Sequence, residues 1–376
     1  MNFDLGETEK ELCHKIEQLF GPESVAILAR LRSPDTRLIR DTLLEWLKAL
    51  ARTGYLSLGL DHGRNSTLLT AAQETLAAVS PSLFLSVEVN ARIFGRLVAV
   101  YGTPEQQALT LTPVTKGLAI GAVALTEGAA NIEDNPPETK GVPYGDSFHV
   151  SGVKGRAINV PVADWIAISG MTGSGTALFL INREENGLYP GQRDTTLGYS
   201  GTAASPISLK DCPVPPGQVI GPFEGQEPLL AVRTWEDQVL TTAALGGMKR
   251  SFAAALDYAK THISGGRPII EYQEVGFKLA EMLTLLQTSR LLVYRAAWMD
   301  ETGDRDKDVL ARCAKVFCTE SAEEVASNAL QVMGTQGCVM GNPAEEGYRD
   351  AKHLQVSGTS TEISRMKIGD LAMKRE

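Results

Sequence analysis

The sequence predicts an α+β protein that is mostly helical, with a helical segment, a β-rich segment and a second helical segment in that order. Apolar residues recur three and four positions apart up to about residue 118, short β-prone runs alternate with turn residues from 119 to 226, and long periodic segments fill 227–376. We therefore expect an N-terminal helical domain at 1–118, a central antiparallel β-domain at 119–226 and a C-terminal four-helix bundle at 227–376.

Each domain rests on its own local pattern. Amphipathic spacing, broken by Gly21-Pro22 and Ser80-Pro81, predicts helices over 8–20, 35–51, 68–79 and 87–101. Short runs rich in β-branched and aromatic residues predict strands over 120–125, 148–150, 165–169, 177–181 and 207–209. Longer periodic runs predict bundle helices over 229–260, 271–301, 307–333 and 361–374. Gly173-Ser174-Gly175 lies between two predicted strands without a following Lys-Ser/Thr, which favours a hairpin turn over a phosphate loop.

The composition excludes several classes of protein. The formal net charge of −9 argues against a nucleic-acid partner, because phosphates call for a basic surface. No apolar stretch approaches the roughly 20 residues of a membrane span, and the acidic N-terminus lacks a signal-peptide pattern, so we expect a cytoplasmic protein. The five cysteines are scattered and no Cys/His cluster has metal-ligand spacing, which predicts no metal site.

A series of short motifs runs in order through most of the chain. They are Ala124-Leu125-Thr126-Glu127-Gly128-Ala129, Gly145-Asp146 with Val150-Ser151-Gly152-Val153-Lys154, Ala163-Asp164-Trp165, Pro268-Ile269 with Gln273, Leu279-Ala280-Glu281-Met282, Tyr294-Arg295-Ala296-Ala297-Trp298, Gln331-Val332-Met333-Gly334-Thr335-Gln336-Gly337, Tyr348-Arg349-Asp350-Ala351-Lys352, and the segment 357–363. Each motif is weak alone, but together and in this order they resemble the acyl-CoA dehydrogenase family.

The resemblance implies a fold, a cofactor and a reaction. FAD would lie between the β-domain and the bundle and reach a neighbouring subunit. A carboxylate would remove the α-proton of an acyl-CoA or acyl-carrier-protein thioester while the β-hydride goes to the flavin. The assembly would be a homodimer or homotetramer, or a heteromer with a paralogous subunit.

The family motifs also imply individual site residues. The position that most often carries the base is Gly358 here, and a subset of the family places the base on the first bundle helix, at Glu236. Glu236 is thus the candidate catalytic residue, with a solvated helix acid beside Asp237 as the alternative reading. The candidate FAD-binding residues are Thr126, Gln273, Gln331, Gly334 and Ser360.

Five other positions depart from the family pattern around the flavin. They are Ile132, Arg156, Ile158, His262 and Gly265, which replace a serine, an aromatic ring, a hydroxyl, an arginine and a phenylalanine. Losing a charge-assisted contact and two stacking rings predicts weakened or absent FAD binding. Arg156 could instead hold the edge of an anionic flavin or a substrate carboxylate, or lie on the surface.

Four functions stay open at this point. The chain could be an FAD-dependent acyl-thioester dehydrogenase with Glu236 as base. It could be the degenerate subunit of a heteromeric acyl-CoA dehydrogenase. It could be a flavin-free enzyme that uses Glu236 for proton transfer, elimination or cyclisation. A scaffold role has no positive support in the sequence.

Overall fold

The fold follows the predicted order of helical, β-rich and helical segments. The computed structural model describes residues 5–21, 24–60, 65–128 and 135–373. Within them, helices precede the first strand at Gly121, the sheet ends at Phe223, and helices dominate again from Glu227. The mostly helical α+β fold class is therefore confirmed.

The N-terminal segment is a set of helices around an apolar core. The helices are α1 (Glu7–Gln18), α2 (Ser24–Ala29), α3 (Thr36–Arg52), α4 (Ser66–Val79), α5 (Pro81–Glu88), α6 (Arg96–Tyr101), α7 (Pro104–Gln106) and α8 (Thr112–Thr115). The side chain of Asp35 caps α3 by accepting a hydrogen bond from the Arg37 amide. A π-helical segment, Val89–Gly95, joins α5 to α6. Such wide turns are frequent at functional sites.

The central segment forms one sheet. Its strands are β1 (Gly121–Ala124), β2 (Lys140–Tyr144), β3 (Ser147–Ile158), β4 (Trp165–Thr172), β5 (Gly175–Asn182), β6 (Leu188–Pro190), β7 (Ala204–Val214) and β8 (Val219–Phe223). The strand order is β6-β7-β3-β2-β4-β5-β8, with β1 paired to β4. Pairing is antiparallel except between β1 and β4 and between β2 and β4. Thr172 pairs with Gly175 across the two-residue turn, as a hairpin at this position requires.

The C-terminal segment contains the four predicted helices and one more. The helices are α9 (Glu227–Thr261), α10 (Gln273–Thr302), α11 (Lys307–Met333), α12 (Pro343–Val356) and α13 (Thr361–Met373). A hairpin of β9 (Ile263–Ser264) and β10 (Arg267–Pro268) links α9 to α10. The additional helix, α12, begins with an Asn342 cap and Pro343 at its first position and packs on α9 and α11.

The long helix α9 joins the parts of the molecule. It packs against α4 and α5 of the N-terminal segment and against α10, α11 and α12. In the described part of the chain, no helix has the length and apolar character to cross a bilayer. The same residues contain no group of three or more His, Cys, Asp or Glu side chains that could hold a metal ion.

Candidate active site

A cavity of about 330 Å³ lies where the three segments meet. We call it the central cavity. Its volume is at the lower end of the range of about 300 to 1,000 Å³ for ligand pockets. Its described lining comes from six places in the chain: Leu85, Val89 and Ile93; Val123, Leu125 and Thr126; Arg156, Ala157 and Ile158; Thr196, Thr202 and Ala204; Val232, Arg233, Glu236, Val239 and Leu240; and His353, Val356, Ser357 and Gly358.

Glu236 is the only carboxylate among the described residues that line the central cavity. Helical periodicity places it on the same face of α9 as Val232, Val239 and Leu240. Its side chain forms an ion pair with Arg233, one turn earlier on α9. The Arg233 side chain is the more deeply buried of the two, with 13% exposed against 36% for Glu236. The pair therefore holds a carboxylate at the cavity wall with its charge compensated.

Gly358 lines the same cavity but cannot carry the base usual in the family. Its φ of +67° lies in the left-handed region that favours glycine. A side chain there would also collide with the Asp237 carboxylate and with Leu240. Asp237 Oδ1 accepts a hydrogen bond from the Thr359 amide at 2.8 Å. The space for a side chain at 358 is thus taken by the carboxylate that fastens this loop to α9.

A buried lysine holds the other side of the loop. Lys315 Nζ donates to the carbonyl oxygens of Leu354 at 2.7 Å and Ser357 at 3.1 Å, at the C-terminal end of α12. Burial lowers the pKa of Lys315 to about 8, against the opposing influence of Asp237 and Glu236. Burial likewise raises the pKa of Asp237, and Lys315 opposes that shift. The loop behind the cavity therefore rests between two oppositely charged groups.

Thr126 lines the cavity from the sheet side and is anchored by buried charges. Lys154 Nζ pairs with Glu127 and donates to the carbonyl oxygen of Leu125 at 3.3 Å and to Ser169 Oγ at 2.9 Å. Both neighbours of Thr126 are thereby fixed. Hydrogen bonds from Lys154, Thr139 and the Glu138 and Thr139 amides outweigh burial and lower the pKa of Glu127. Ile132 lies outside the described residues.

Arg156 and Ile158 both line the central cavity from β3. Arg156 Nε lies 2.7 Å from Asp194 Oδ2, and 55% of the arginine side chain is exposed. Arg156 is therefore an ion-paired cation at the cavity rim. Ile158 brings no hydroxyl group to this wall.

His353 is a cavity residue that the sequence did not single out. It is on the last turn of α12, half-buried, with its ring 5.3 Å from the Tyr199 ring. Burial, together with Arg156 and Lys315, lowers its pKa, while Glu236 acts in the opposite direction. Its position directly after the Arg349-Asp350-Ala351-Lys352 motif was the only sequence signal.

Four of the five candidate FAD-binding residues do not line the central cavity, and three of these four lie at the far end of the bundle. Gln273 begins α10, whereas Gln331 and Gly334 are at the end of α11, and all three are exposed. The two helix ends lie at the same end of the bundle, since Asn328 on α11 contacts Glu281 on α10. His262, after the end of α9, is also exposed. At 1.5 Å per residue, the length of α9 separates Thr261 from Glu236 by roughly 38 Å.

The hairpin at this end of the bundle has no room for a side chain at position 265, where the resemblance implies a phenylalanine. Gly265 and Gly266 have φ values of +59° and +85°, as a tight two-residue turn requires. A side chain at 265 would place its Cβ 2.5 Å from Tyr272 Oη. Arg267, a second residue the sequence did not single out, stacks over the Tyr272 ring at 4.2 Å and remains exposed. An arginine is thus present in this hairpin, five residues after His262.

Ser360 has a local structural role. Its Oγ accepts a hydrogen bond from the Ile363 amide at 3.4 Å, in the first turn of α13. It lies two residues after Gly358 but is not among the residues that line the central cavity.

The fold and the site define a helical–β–helical protein with a ligand cavity between its sheet and its bundle. Residues 234–373 match the family model described as "Acyl-CoA dehydrogenase, C-terminal domain". The chain is 28% identical to the human mitochondrial short-chain specific acyl-CoA dehydrogenase over 305 residues, which cover 79% of this chain and 73% of that protein. It is also 28% identical to the mitochondrial isovaleryl-CoA dehydrogenase of Oryza sativa subsp. japonica, over 99% of this chain and 92% of that protein.

A solved structure agrees on the fold. Butyryl-CoA dehydrogenase from Megasphaera elsdenii matches with a TM-score of 0.87 at 23% identity, covering 99% of this chain and 100% of that one. Residues 234–373 are therefore similar to the C-terminal domain of acyl-CoA dehydrogenases, and the chain as a whole is similar to enzymes of that family.

Proposed function

We propose that the protein removes hydrogen from the α and β carbons of an acyl thioester, with Glu236 as the base. The observation that carries this proposal is the position of Glu236 as the only carboxylate among the described residues of the central cavity. The backbone at Gly358 supports it, because no side chain fits at the position of the usual base.

The residues of the cavity suit the proposed proton transfer. A thioester carbonyl acidifies the adjacent C–H bond, so that a positioned carboxylate can take the proton. Glu236 would accept it on a carboxylate oxygen while Arg233, paired with it, keeps the side chain at the cavity wall. Apolar side chains of Leu85, Val89 and Ile93 line the cavity, and we expect them to surround the acyl chain and exclude water.

The polar groups of the chain fit FAD in two separate places. At the central cavity, the hydroxyl of Thr126 and the guanidinium of Arg156 lie on a wall of mixed polar and apolar side chains, which suits the polar edge and flat face of a flavin ring. At the far end of the bundle, Gln273, Gln331 and Arg267 offer exposed donors that suit a pyrophosphate. FAD, when bound, would supply the acceptor for the β-hydride.

The distance between these two places supports an assembly of two subunits. They lie roughly 38 Å apart along α9 in one chain. A single FAD molecule held at both would therefore need the far end of the bundle from a second subunit. That subunit would be another copy of this chain or a paralogue. The proposal covers thioesters of CoA and of acyl-carrier protein, with any length of acyl chain.

His353 favours a second candidate function. It places a second titratable side chain on the wall of the cavity that contains Glu236. Two such groups could move the α-proton of an acyl thioester without any change of oxidation state. The absence of a hydroxyl at Ile158, on the sheet wall, is consistent with this redox-neutral alternative.

One set of measurements separates the two functions. The wild-type protein should show a flavin absorption band that bleaches on addition of an acyl-CoA. Glu236→Gln should keep the band but bleach about 10² to 10⁴ times more slowly. Glu274→Gln, an exposed acid on α10, is the matched control and should behave as wild type.

The second candidate has its own signature. A protein that stays colourless after incubation with FAD would exclude the dehydrogenase. Glu236-dependent exchange of the acyl α-proton with deuterated solvent, followed by NMR, would then support the redox-neutral reaction. Exchange that persists unchanged in Glu236→Gln would contradict both functions.

A further inference from the structure

A second, smaller cavity lies beside the central cavity. It has a volume of about 90 Å³, and we call it the distal cavity. Val239 lines both cavities. On α9, Trp235, Gln238 and Thr242 face the distal cavity, whereas Val232, Glu236 and Leu240 face the central one. The two cavities therefore lie on adjacent faces of the same helix, with Val239 at the boundary.

The π-helical segment repeats this division on the opposite wall. Val89 and Ile93 line the central cavity, whereas Arg92 and the following Arg96 line the distal one. A chain leaving the central cavity between α9 and this segment would enter the distal cavity past Val239. The distal cavity is thus placed as a continuation of the central cavity, away from Arg156 at the opposite, sheet-side wall.

The distal cavity is lined by more charged side chains than the central cavity, five against three among the described residues. Arg92 is 2% exposed, and its guanidinium donates to the backbone carbonyl oxygens of Leu56 and Tyr55. Its Nε lies 3.7 Å from Glu88 Oε2, beyond hydrogen-bond reach, and has no hydrogen-bond acceptor among the described residues. A buried donor without an acceptor is costly and calls for an explanation.

The remaining walls combine polar side chains with apolar ones from α10 and α11. The guanidinium of Arg96 stacks over the Trp235 ring at 4.6 Å, and Gln238 lies on the next turn of α9. Lys307 and Asp300 form an ion pair at 3.0 Å on the opposite side. An alkyl terminus in this cavity would bury polar groups without hydrogen bonds, which is unfavourable.

We propose that the distal cavity binds the far end of the acyl chain and that this end carries an oxygen acceptor, a hydroxyl or a carboxylate. The proposal rests on the proposed function, since it takes the central cavity as the acyl-thioester site. A volume of about 90 Å³ corresponds to roughly three water molecules at about 30 Å³ each, which is room for one such polar end group. The oxygen would lie against the polar side chains of this cavity, which include Gln238 and Arg96.

The test compares the binding of three acyl-CoA thioesters of equal carbon number by calorimetry. One ends in a methyl group, one in a hydroxyl and one in a carboxylate, and the comparison is repeated over a series of chain lengths. At the length that reaches past Val239, we expect at least one polar-ended thioester to bind about tenfold more tightly than the methyl-ended one. A methyl-ended thioester that binds equally well at every length overturns the proposal and leaves the cavity to water.

Variants locate the effect. Val239→Phe narrows the boundary between the cavities, and Gln238→Leu removes a polar wall while keeping the contacts of Arg92 with Tyr55 and Leu56. Both should reduce the preference for a polar end, as should Arg92→Met if it folds. Arg305→Met removes an arginine that is 93% exposed and should leave the preference unchanged. An undiminished preference in both Val239→Phe and Gln238→Leu would contradict the proposed location.

Because this test measures binding and not turnover, its outcome can be told apart from that of the test of the proposed function. Thioesters that bind without preference contradict the distal site alone. If none of the three thioesters binds at any length, the acyl-thioester function itself is wrong, and the distal-site proposal is wrong with it.

Discussion

Two glycines lie at positions where the folded chain has no room for a side chain. The resemblance implies that Gly358 and Gly265 replace the usual base and a phenylalanine, and both have positive φ values. At each position, the space for a side chain is already occupied, by Asp237 at one and by Tyr272 at the other. These are consequently changes of backbone and packing, which a single substitution back to the family residue would not reverse.

Restoring the usual base should therefore destabilise the protein. Gly358→Glu forces a side chain into a left-handed conformation and against the Asp237 carboxylate, and we expect a loss of about 1 to 3 kcal/mol in the free energy of unfolding. Urea denaturation measures it. Gly276→Glu in α10 is the control, because no atom lies within 4 Å of its added Cβ and glutamate is the better helix former. Equal stability of the two variants would contradict the packing argument.

Replacing Lys154 should destabilise the protein, because it leaves the Glu127 carboxylate buried without a partner. Lys154→Met removes the partner of buried Glu127, and breaking a buried ion pair costs about 3 to 5 kcal/mol. We expect a loss of that order in chemical denaturation at neutral pH. The double variant Lys154→Met with Glu127→Leu should recover part of it, since no charge is then buried alone. A double variant less stable than the single one would show that the pair is net stabilising.

At the scale of elements, α12 and the loop after it close the central cavity. The sequence motif of Tyr348 to Lys352 was recognised, but its helix was not predicted. The helix contains Glu345, Glu346 and Arg349, whose polar side chains obscure the apolar period. These charges are paired with one another and with Arg32 and Arg250 in the folded protein. Helix formation here thus depends on partners that are distant in sequence.

Lys315 gives this element a distinct pH dependence. Burial lowers its pKa in the folded protein to about 8, from an ordinary value of 10.5. Between these values the unfolded chain binds more protons, so Lys315 makes the wild type more stable as the pH rises from about 8 to about 10.5. Lys315→Met lacks this gain and also leaves the Leu354 and Ser357 carbonyl oxygens without their donor.

The stability deficit of Lys315→Met should accordingly be larger at pH 10 than at pH 8, because both values lie in the window between the lowered and the ordinary pKa. Denaturation of both proteins at each pH measures the difference in their free energies of unfolding. The contributions of other titrating groups are the same in both proteins and cancel in this difference. An exposed control, Lys48→Met on α3, should show no such change. A deficit that is constant across this range would mean that Lys315 is not neutralised by burial.

At the scale of the whole molecule, Asp350 connects the bundle to the β-rich segment. Its carboxylate on α12 accepts a hydrogen bond from the Tyr199 amide at 2.5 Å. Burial raises its pKa to about 6, helped by Glu346 and opposed by the Tyr199 hydrogen bond and by Arg250. Between the ordinary value of 3.8 and about 6, the folded state binds more protons, so this group lowers stability as the pH rises through that window.

Asp350→Asn should remove that dependence while keeping an oxygen acceptor for Tyr199. Relative to wild type, the variant should gain stability between about pH 4 and pH 7, and thermal denaturation over this range measures it. Asp41→Asn, on the exposed face of α3, is the control and should follow the wild type. If the stability difference between Asp350→Asn and the wild type does not change with pH, Asp350 does not titrate in this range.

The sequence by itself determined the order of the three segments, the spans of most helices and strands, and the resemblance to the acyl-CoA dehydrogenase family. These follow from local periodicity, turn residues and motifs, which neighbouring residues along the chain encode. It also named Glu236 and Thr126, which the structure places together on the walls of the central cavity. Their proposed roles remain predictions.

Only the tertiary structure decided which side chains meet. It placed Gln273, Gln331 and Gly334 at the far end of the bundle, filled the space at Gly358 with Asp237, and set Val239 between the two cavities. Such contacts join residues a hundred or more positions apart, as Asp237 and Thr359 are. These contacts depend on how the helices pack on one another, and the spacing of residues along a single helix does not determine that packing.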